Sequence, residues 1–353
     1  METENKGNGK PKSNQVTLKA VAEHLGLTPG TVSAVWNNSA ASRSIPEHTR
    51  RRILDAIRSM KYRPNFMARS LRVQRTFTIG VILEEIGDAY GSTIVSGIEE
   101  YTREKNYFFL TVAHRHDARL LDTYSQMLTA RGAEGFITVD TSIHEVPILP
   151  TVAVAGHHIL DNVTNIVLDH HKAAMLGLKH LQELGHKEIA FLIGQPESSD
   201  SPVRWSAIRE VAAQLGIEIH PDRVVQLTGI DSTPELGYPF GKELLARRVP
   251  FTALFAYNDI SAIGAMRAFL EAGLRVPEDV SVVGFDDIVT ATFCMPPLTT
   301  VRQPLKKMGR IAAETLLARI EEGGDFQNEI AVEPELVVRQ STGPAPKAIP
   351  AAT

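Results

Sequence analysis

Residues 16–37 read VTLKAVAEHLGLTPGTVSAVWN, and the reading of this stretch decides what kind of chain follows. Leu18, Val21, Ala22 and Leu25 recur at i, i+3, i+4 and i+7, the spacing of one helix face. Thr17 precedes that face as an N-cap, and Gly26 follows it, where a left-handed residue ends a helix. Thr28 caps a second helix with Pro29 at its first position, where a missing N–H costs nothing. Val32 and Val35 turn inward, which leaves Gly30, Thr31, Ser33 and Ala34 on or near the outer face. Two short helices across a tight turn make a helix-turn-helix, whose second helix enters the major groove of DNA. Taken alone, the stretch also fits a helical hairpin with no partner.

Its surroundings favour the DNA reading. Ser44-Ile45-Pro46-Glu47 predicts a capping box that opens a third helix over 45–60, with Ile53, Ile57 and Met60 as its buried stripe. Arg50, Arg51, Arg52 and Arg58 make this three-helix unit basic. A polar loop, 38–44, separates the second and third helices, and its Arg43 can reach a phosphate or a base edge. Pro64 then breaks the chain away from the third helix. Residues 65–72 (NFMARSLR) hold good helix formers over only about two turns, too few to be helical alone in water.

TVSAVWNN followed by YRPNFMARSL resembles the lactose-repressor/galactose-repressor (LacI/GalR) family of bacterial transcription regulators. The resemblance runs from about Val16 to about Thr342. It implies DNA contacts from Thr17, Thr28, Pro29, Gly30, Thr31, Ser33, Ala34 and Asn37. It also implies a hinge helix carrying Asn65, Ala68, Arg69 and Leu71, which folds on operator DNA with Leu71 wedged into the minor groove. Apolar wedges that kink DNA in this way are a general device. The chain departs from the family at Ala34, where many members carry a long polar side chain. Alanine makes no bidentate contact to guanine, although it can touch a thymine methyl. Pro29 and Gly30 likewise lack side-chain donors. Direct readout therefore shifts to Thr31, Ser33 and Asn37, or to Arg43.

The 353 residues suffice for two or three domains, and a 43% hydrophobic content suffices for a real core. Charge is divided by position. Residues 1–76 hold 14 of the 37 Lys and Arg and 5 of the 41 Asp and Glu, hence +9, and the remainder carries −13. A basic head on an acidic body suits a head that neutralises phosphates and a body repelled by them. The single cysteine, Cys294, excludes an internal disulfide and a Cys-rich metal site. The polar first 15 residues show no secretory signal, and no apolar run approaches a membrane span. The expectation is a cytoplasmic protein of bacterial type with no membrane partner.

From Phe77 strands and helices alternate, as in a parallel sheet with crossover helices. More than 200 residues of this pattern exceed one small sheet, so two lobes are expected. The fold class is thus a small all-α helix-turn-helix head plus an α/β two-lobed body like the periplasmic binding proteins. The expected divisions are a disordered 1–15, a head at 16–62, a hinge and linker at 63–76, a body at 77–342 and a tail at 343–353. Within the body, the N-lobe takes about 77–170 plus 302–324. The C-lobe takes about 171–299 plus 329–340, with Glu329–Arg339 read as one strand.

Ligands in open parallel sheets bind beyond the carboxyl ends of the strands. That rule selects Asp88 and Tyr90 after the first strand, Arg204 at the start of the helix after EIAFLIG, Asn258 after ALFA, and Asp286 after SVVGF. Carboxylate, amide and guanidinium groups offer the donors and acceptors that a polyol or purine requires. AYNDISAIGAMRAFLEAGLRVPEDVSVVGFDD and MPPLTTVRQP resemble the family's C-terminal signatures. That resemblance implies effector contacts from Arg204, Asn258, Asp286 and Tyr90. Each has a structural alternative: Asn258 as a helix cap, Asp286 as a turn anchor, Tyr90 as core, Arg204 as a surface ion-pair residue. Asp259 reads as structural, and Asp169 matches a recurrent aspartate without an assigned role.

Enzymatic readings find no support, since there is no phosphate loop or nucleophile elbow. His157-His158 and His170-His171 are adjacent pairs, which do not share a helix face, and no metal or cofactor is expected. The sequence therefore reads as a DNA-binding transcription regulator, a repressor acting as homodimer or tetramer on double-stranded operator DNA. Its expected control is a small-molecule effector, a carbohydrate, between two lobes. The rival is a solute-binding protein of a transport system, which would need an export signal and no DNA head.

Overall fold

The computed structural model describes residues 16–63, 70, 73–229, 233–324 and 326–347. Two compact units part between Thr76 and Phe77. The first 15 residues and the hinge candidates Asn65, Ala68, Arg69 and Leu71 lie outside the described residues.

The head is built of α1 (Leu18–Leu25), α2 (Pro29–Trp36) and α3 (Glu47–Ser59). Thr17 Oγ1 accepts the Ala20 N–H at 3.1 Å, and Gly26 closes α1 at φ +67°. Thr28 Oγ1 accepts the Thr31 N–H at 3.2 Å and so caps α2. Val21, Ala22, Val32, Val35, Ile53, Ala56 and Ile57 form the core, and Leu18, Leu25, Ile45 and Met60 pack at its rim. One expectation fails here. Ser44 does not open a capping box: its hydroxyl turns back to donate to the Ala41 carbonyl at 2.8 Å. Residues Ala40–Ser44 wind as a 3-10 turn with Ser42 buried, rather than forming an open loop, and α3 starts only after Pro46.

The body holds two six-stranded sheets. In the N-lobe, β1 (Thr78–Leu83), β2 (Phe108–Ala113), β3 (Phe136–Val139), β4 (Thr151–Val154), β5 (Val163–Leu168) and β11 (Glu329–Val332) lie in the order β11-β5-β4-β3-β1-β2, all parallel. The C-lobe orders β12 (Glu335–Val337), β10 (Thr299–Arg302), β9 (Ser281–Asp286), β8 (Ala253–Phe255), β6 (Ile189–Ile193) and β7 (Val224–Gln226), with β12 alone antiparallel. The helices are α4 (Ala89–Glu104), α5 (Ala118–Ala130), α6 (His170–Glu183), α7 (Asp200–Leu215), α8 (Gly237–Ala246), α9 (Asp259–Glu271), α10 (Val289–Phe293) and α11 (Leu305–Glu322). Burial on every position of β1, β3, β4, β5 and β9 reflects helices on both faces, which is why these strands read as continuous apolar runs.

The chain crosses between lobes after β5, after β10 and after β11. The last crossing corrects the single strand expected at 329–339. Pro334 lacks the N–H that would continue a ladder. Glu329–Val332 therefore adds to the N-lobe sheet beside β5, and Glu335–Val337 to the C-lobe sheet beside β10. The expected tail at 343–353 is also shortened. Gly343 exchanges hydrogen bonds with Ser281 and lies 3.0 Å from His186 Nε2, and Ala345 N donates to the Leu184 carbonyl at 2.8 Å. Among the described residues no helix is long and apolar enough to cross a membrane.

Two glycines set how closely α4 and α11 cross. A Cβ on Gly309 would stand 1.9 Å from the Ile94 carbonyl oxygen, and one on Gly97 2.0 Å from that of Lys306. Backbone cannot swing aside as a side chain does. Gly309→Ala is expected to lose roughly 1–3 kcal/mol of stability through overpacking. Urea unfolding of the two proteins checks this; an unchanged midpoint would show that the helices slide apart freely.

Candidate effector cleft and nucleic-acid interface

Within the body, Asp88, Tyr90, Arg204, Asn258 and Asp286 line one cleft beyond the carboxyl ends of both sheets. The sequence rule and the fold meet here because β1, β6, β8 and β9 all end at this cleft. Asp88 caps α4, its Oδ2 accepting the Gly91 N–H at 2.7 Å. Asn258 caps α9 through a reciprocal box with Ser261, and it also faces the cleft, so its two readings coexist. Tyr90 packs against the main core and lines the cleft, and its buried hydroxyl has no partner among the described residues. Asp259 is structural. It accepts bonds from Thr300 Oγ1 at 2.6 Å and the Ile288 N–H at 2.9 Å. Asp169 caps α6 at the first crossover, accepting the Lys172 N–H at 2.8 Å.

Arg204 sits one turn inside α7, not at its start as expected. The helix begins at Asp200, because Pro202 falls in the first turn, where proline is tolerated. That register places Asp200 and Arg204 at i, i+4, with Nη2 2.9 Å from Asp200 Oδ2. Arg204 Nη1 donates to the Tyr257 carbonyl at 2.6 Å, and the guanidinium carbon lies 4.4 Å and 3.8 Å from the ring centroids of Tyr257 and Phe285. Only Nε of the fork lacks a partner among the described residues.

Asp286 occupies the last position of β9 at φ +102°, followed by Asp287 at +57°. A non-glycine residue there costs on the order of 1–3 kcal/mol and persists only where its surroundings hold it. Gln303 Nε2 donates to Asp286 Oδ1 at 2.7 Å, while Arg302 and Arg339 both reach Asp287 at 2.7 Å. Burial pushes the Asp286 carboxyl up to about 7, partly offset by Arg204 and Gln303.

Several residues of this site escaped the sequence reading. Asp140, directly after β3, spans the lobes. It accepts the Ser199 N–H at 3.1 Å and lies 2.7 Å from Ser199 Oγ. The strand-end rule applies to it as it does to Asp88. Asp200 Oδ1 receives His157 Nε2 at 2.6 Å, from the N-lobe after β4, and His170 Nε2 at 3.2 Å, from the crossover. Burial alone would raise the Asp200 carboxyl, but His170, His157 and Arg204 outweigh it and hold it well below its ordinary value. The three donor atoms lie within 4.8 Å of one another. A separation of 2.6 Å is a hydrogen bond, shorter than the roughly 3.3 Å between ligands that share a tetrahedral ion at about 2.0 Å. The cluster is therefore a latch between lobes, built of hydrogen bonds and charge.

On the head, Thr17, Thr28, Pro29, Gly30, Asn37 and Arg43 are exposed, and Thr31, Ser33 and Ala34 are partly so. Thr28 and Thr31 hydroxyls lie 2.9 Å apart. The Asn37 amide donates to the Ser33 carbonyl at 2.9 Å and lies 3.1 Å from Ser33 Oγ. Those donors must turn outward before they can read a base.

Comparison with known proteins follows the same division. The family described as "Bacterial regulatory proteins, lacI family" matches residues 17–65, and "Periplasmic binding protein-like domain" matches 178–342. The "HTH-type transcriptional repressor PurR" of Haemophilus influenzae is 32% identical over 335 residues, covering 92% of this chain and 98% of its own. The lac repressor dimer bound to operator and the anti-inducer ONPF superposes with a TM-score of 0.82 at 26% identity, covering 94% and 100% of the two chains. The complex of the transcriptional regulator CelR with cellobiose gives 0.68 at 27% identity, covering 93% and 100%.

Proposed function

This chain belongs to the lacI family of bacterial regulatory proteins, and from that premise we propose that it is a homodimeric repressor released from or recruited to operator DNA by a carbohydrate. It is a DNA-binding transcriptional repressor with an effector-binding domain. The head excludes the solute-binding reading, since a transport receptor has no use for a helix-turn-helix. Dimerisation is proposed by likeness to the operator-bound lac repressor dimer.

One observation supports a sugar above other ligands. The cleft presents carboxylates from both lobes and two amides, with Asp88 and Asp140 on one wall and Asp286, Asn258 and Gln195 on the other. Such acceptors match the hydroxyls of a polyol one by one. The regulator that binds cellobiose shares the fold. The effector must bind one lobe arrangement better than another, because only that difference shifts the equilibrium sensed by DNA. The Asp140–Ser199 and His157–Asp200 bonds are the contacts such a shift would make or break.

A thermal-shift screen of sugars and nucleobases on the full chain tests the reading. A sugar present at about 100 times its Kd should add about 2.7 kcal/mol to the body's stability. Stabilisation by a purine base and by no sugar would overturn it.

A further inference from the structure

We propose that the effector is an amino sugar, its protonated amine seated on the N-lobe wall of the cleft. The proposal rests on the carbohydrate reading above and narrows it. Among the described residues, six carboxyl side chains line the cleft: Glu84, Glu85, Asp88, Asp140, Asp200 and Asp286. Arg204 is the one lining arginine or lysine among the described residues, and it is already committed to Asp200 at 2.9 Å. His116 lies 2.7 Å from Glu84. The acidic excess is concentrated by topology. Glu84 follows Leu83 at the end of β1, and Asp140 follows Val139 at the end of β3, and those two residues are register partners on neighbouring strands. Asp88 closes the same corner from the N-cap of α4. Neighbouring strands stand about 4.8 Å apart, so the two carboxyls are set side by side.

Two further atoms show that the cleft is built for a polar guest. Tyr90 Oη and Arg204 Nε are buried, belong to residues that line the cleft and have no partner among the described residues. Arg204 has a side chain only 4% exposed. Buried donors of this kind ordinarily find an acceptor. A neutral sugar would satisfy these donors yet bring no charge to the carboxyl corner. An anionic ligand would add to the repulsion. An ammonium group brings a positive charge and three donors to the one place where acceptors are crowded.

The protonation of that corner agrees. Burial, then Asp140, Asp88 and Glu85, push the Glu84 carboxyl up to about 9, so it holds its proton at neutral pH. Burial likewise raises Asp140 and Asp88. When the ammonium arrives, Glu84 gives its proton to the buffer and pairs with the incoming charge. Charge is conserved across the step: one cation enters the cleft and one proton leaves.

The experiment is calorimetric titration of the full chain at pH 7 with glucosamine, galactosamine and mannosamine. Each is compared with its parent sugar and its N-acetyl derivative, in phosphate and in Tris. At least one amine should bind about tenfold or more tighter than both counterparts, the usual advantage of a charge-assisted bond. The difference in heat between buffers should report release of about one proton, and Glu84→Gln and Asp88→Asn should erase the preference. Tighter binding of a neutral sugar would overturn the amine and leave the carbohydrate reading standing. Absence of proton release with a bound amine, or no binding by any of the three amines, would also overturn it. A nucleobase that binds when no sugar does would overturn both.

Discussion

Arg204→Ala is expected to lower the melting temperature of the effector-binding body by roughly 10 °C and to weaken effector binding by more than tenfold. The guanidinium and the Asp200 carboxylate are both only 4% exposed. Removing one partner of a buried ion pair costs about 3–5 kcal/mol, and because His157 and His170 still hold the Asp200 carboxylate the lower end, about 3 kcal/mol, applies. The Tyr257 carbonyl also loses its donor, and the Phe285 and Tyr257 rings lose the cation between them. Arg204→Lys restores the charge but not the fork, so it should recover only part of the loss. Because the Asp200 carboxyl is held below its ordinary value in the folded state, its stabilising share is complete above the ordinary carboxylate range. That share is lost as pH falls through the depressed value. The wild type should therefore lose stability at acid pH more steeply than Arg204→Ala. Scanning calorimetry from pH 3 to pH 7 decides this; equal melting temperatures at pH 7 would show that Arg204 is dispensable to the body.

What the sequence shows of this network, and what it hides, follows from the range of the interactions. The head is written locally: Thr17, Gly26, Thr28 and Pro29 each act within four residues of where they stand, so α1 and α2 are legible to the residue. The strand-end rule is almost as local, and it brings Asp88, Tyr90, Asn258 and Asp286 to one cleft. The Asp200 cluster is not local. His157 and His170 are separated from it by 43 and 30 residues. Inspecting each adjacent histidine pair by itself hides that one member of each meets the same oxygen. The start of α7 is hidden by Pro202, which is harmless in a first turn but elsewhere breaks a helix. β11 and β12 read as one strand because nothing between 329 and 339 except Pro334 marks that the chain is changing sheets. Ser44 has the composition of a cap, yet the 3-10 turn at Ala40–Ser44 offers it a nearer carbonyl.

Operator affinity is expected to fall about 1,000-fold or more between 50 and 200 mM salt. Residues 1–76 carry 14 basic against 5 acidic side chains, and the rest of the chain is acidic. On α3, Arg51 lies 2.7 Å from Glu47 and Arg58 3.5 Å from Asp55, with both arginine side chains more than 70% exposed. Exposed pairs of this kind hold their partners weakly, so a phosphate can displace the carboxylate. Each phosphate neutralised contributes about −0.9 to the slope of log affinity against log salt, and two heads making six to ten such contacts give about the stated loss. The recognition helix supplies little to offset this, because Ala34 reaches no base edge with a hydrogen bond and the Asn37 amide is engaged with Ser33. Arg43, exposed on the turn before α3, is the side chain that can tilt the balance. If Arg43 meets a phosphate, Arg43→Ala lowers affinity for operator and for random DNA alike and reduces the salt slope by about 1 per head. If it meets a base edge, the loss of about 1–3 kcal/mol falls on operator alone. Fluorescence anisotropy on both DNAs across the salt range separates the two outcomes. An operator affinity indifferent to salt would remove the basic head from its role.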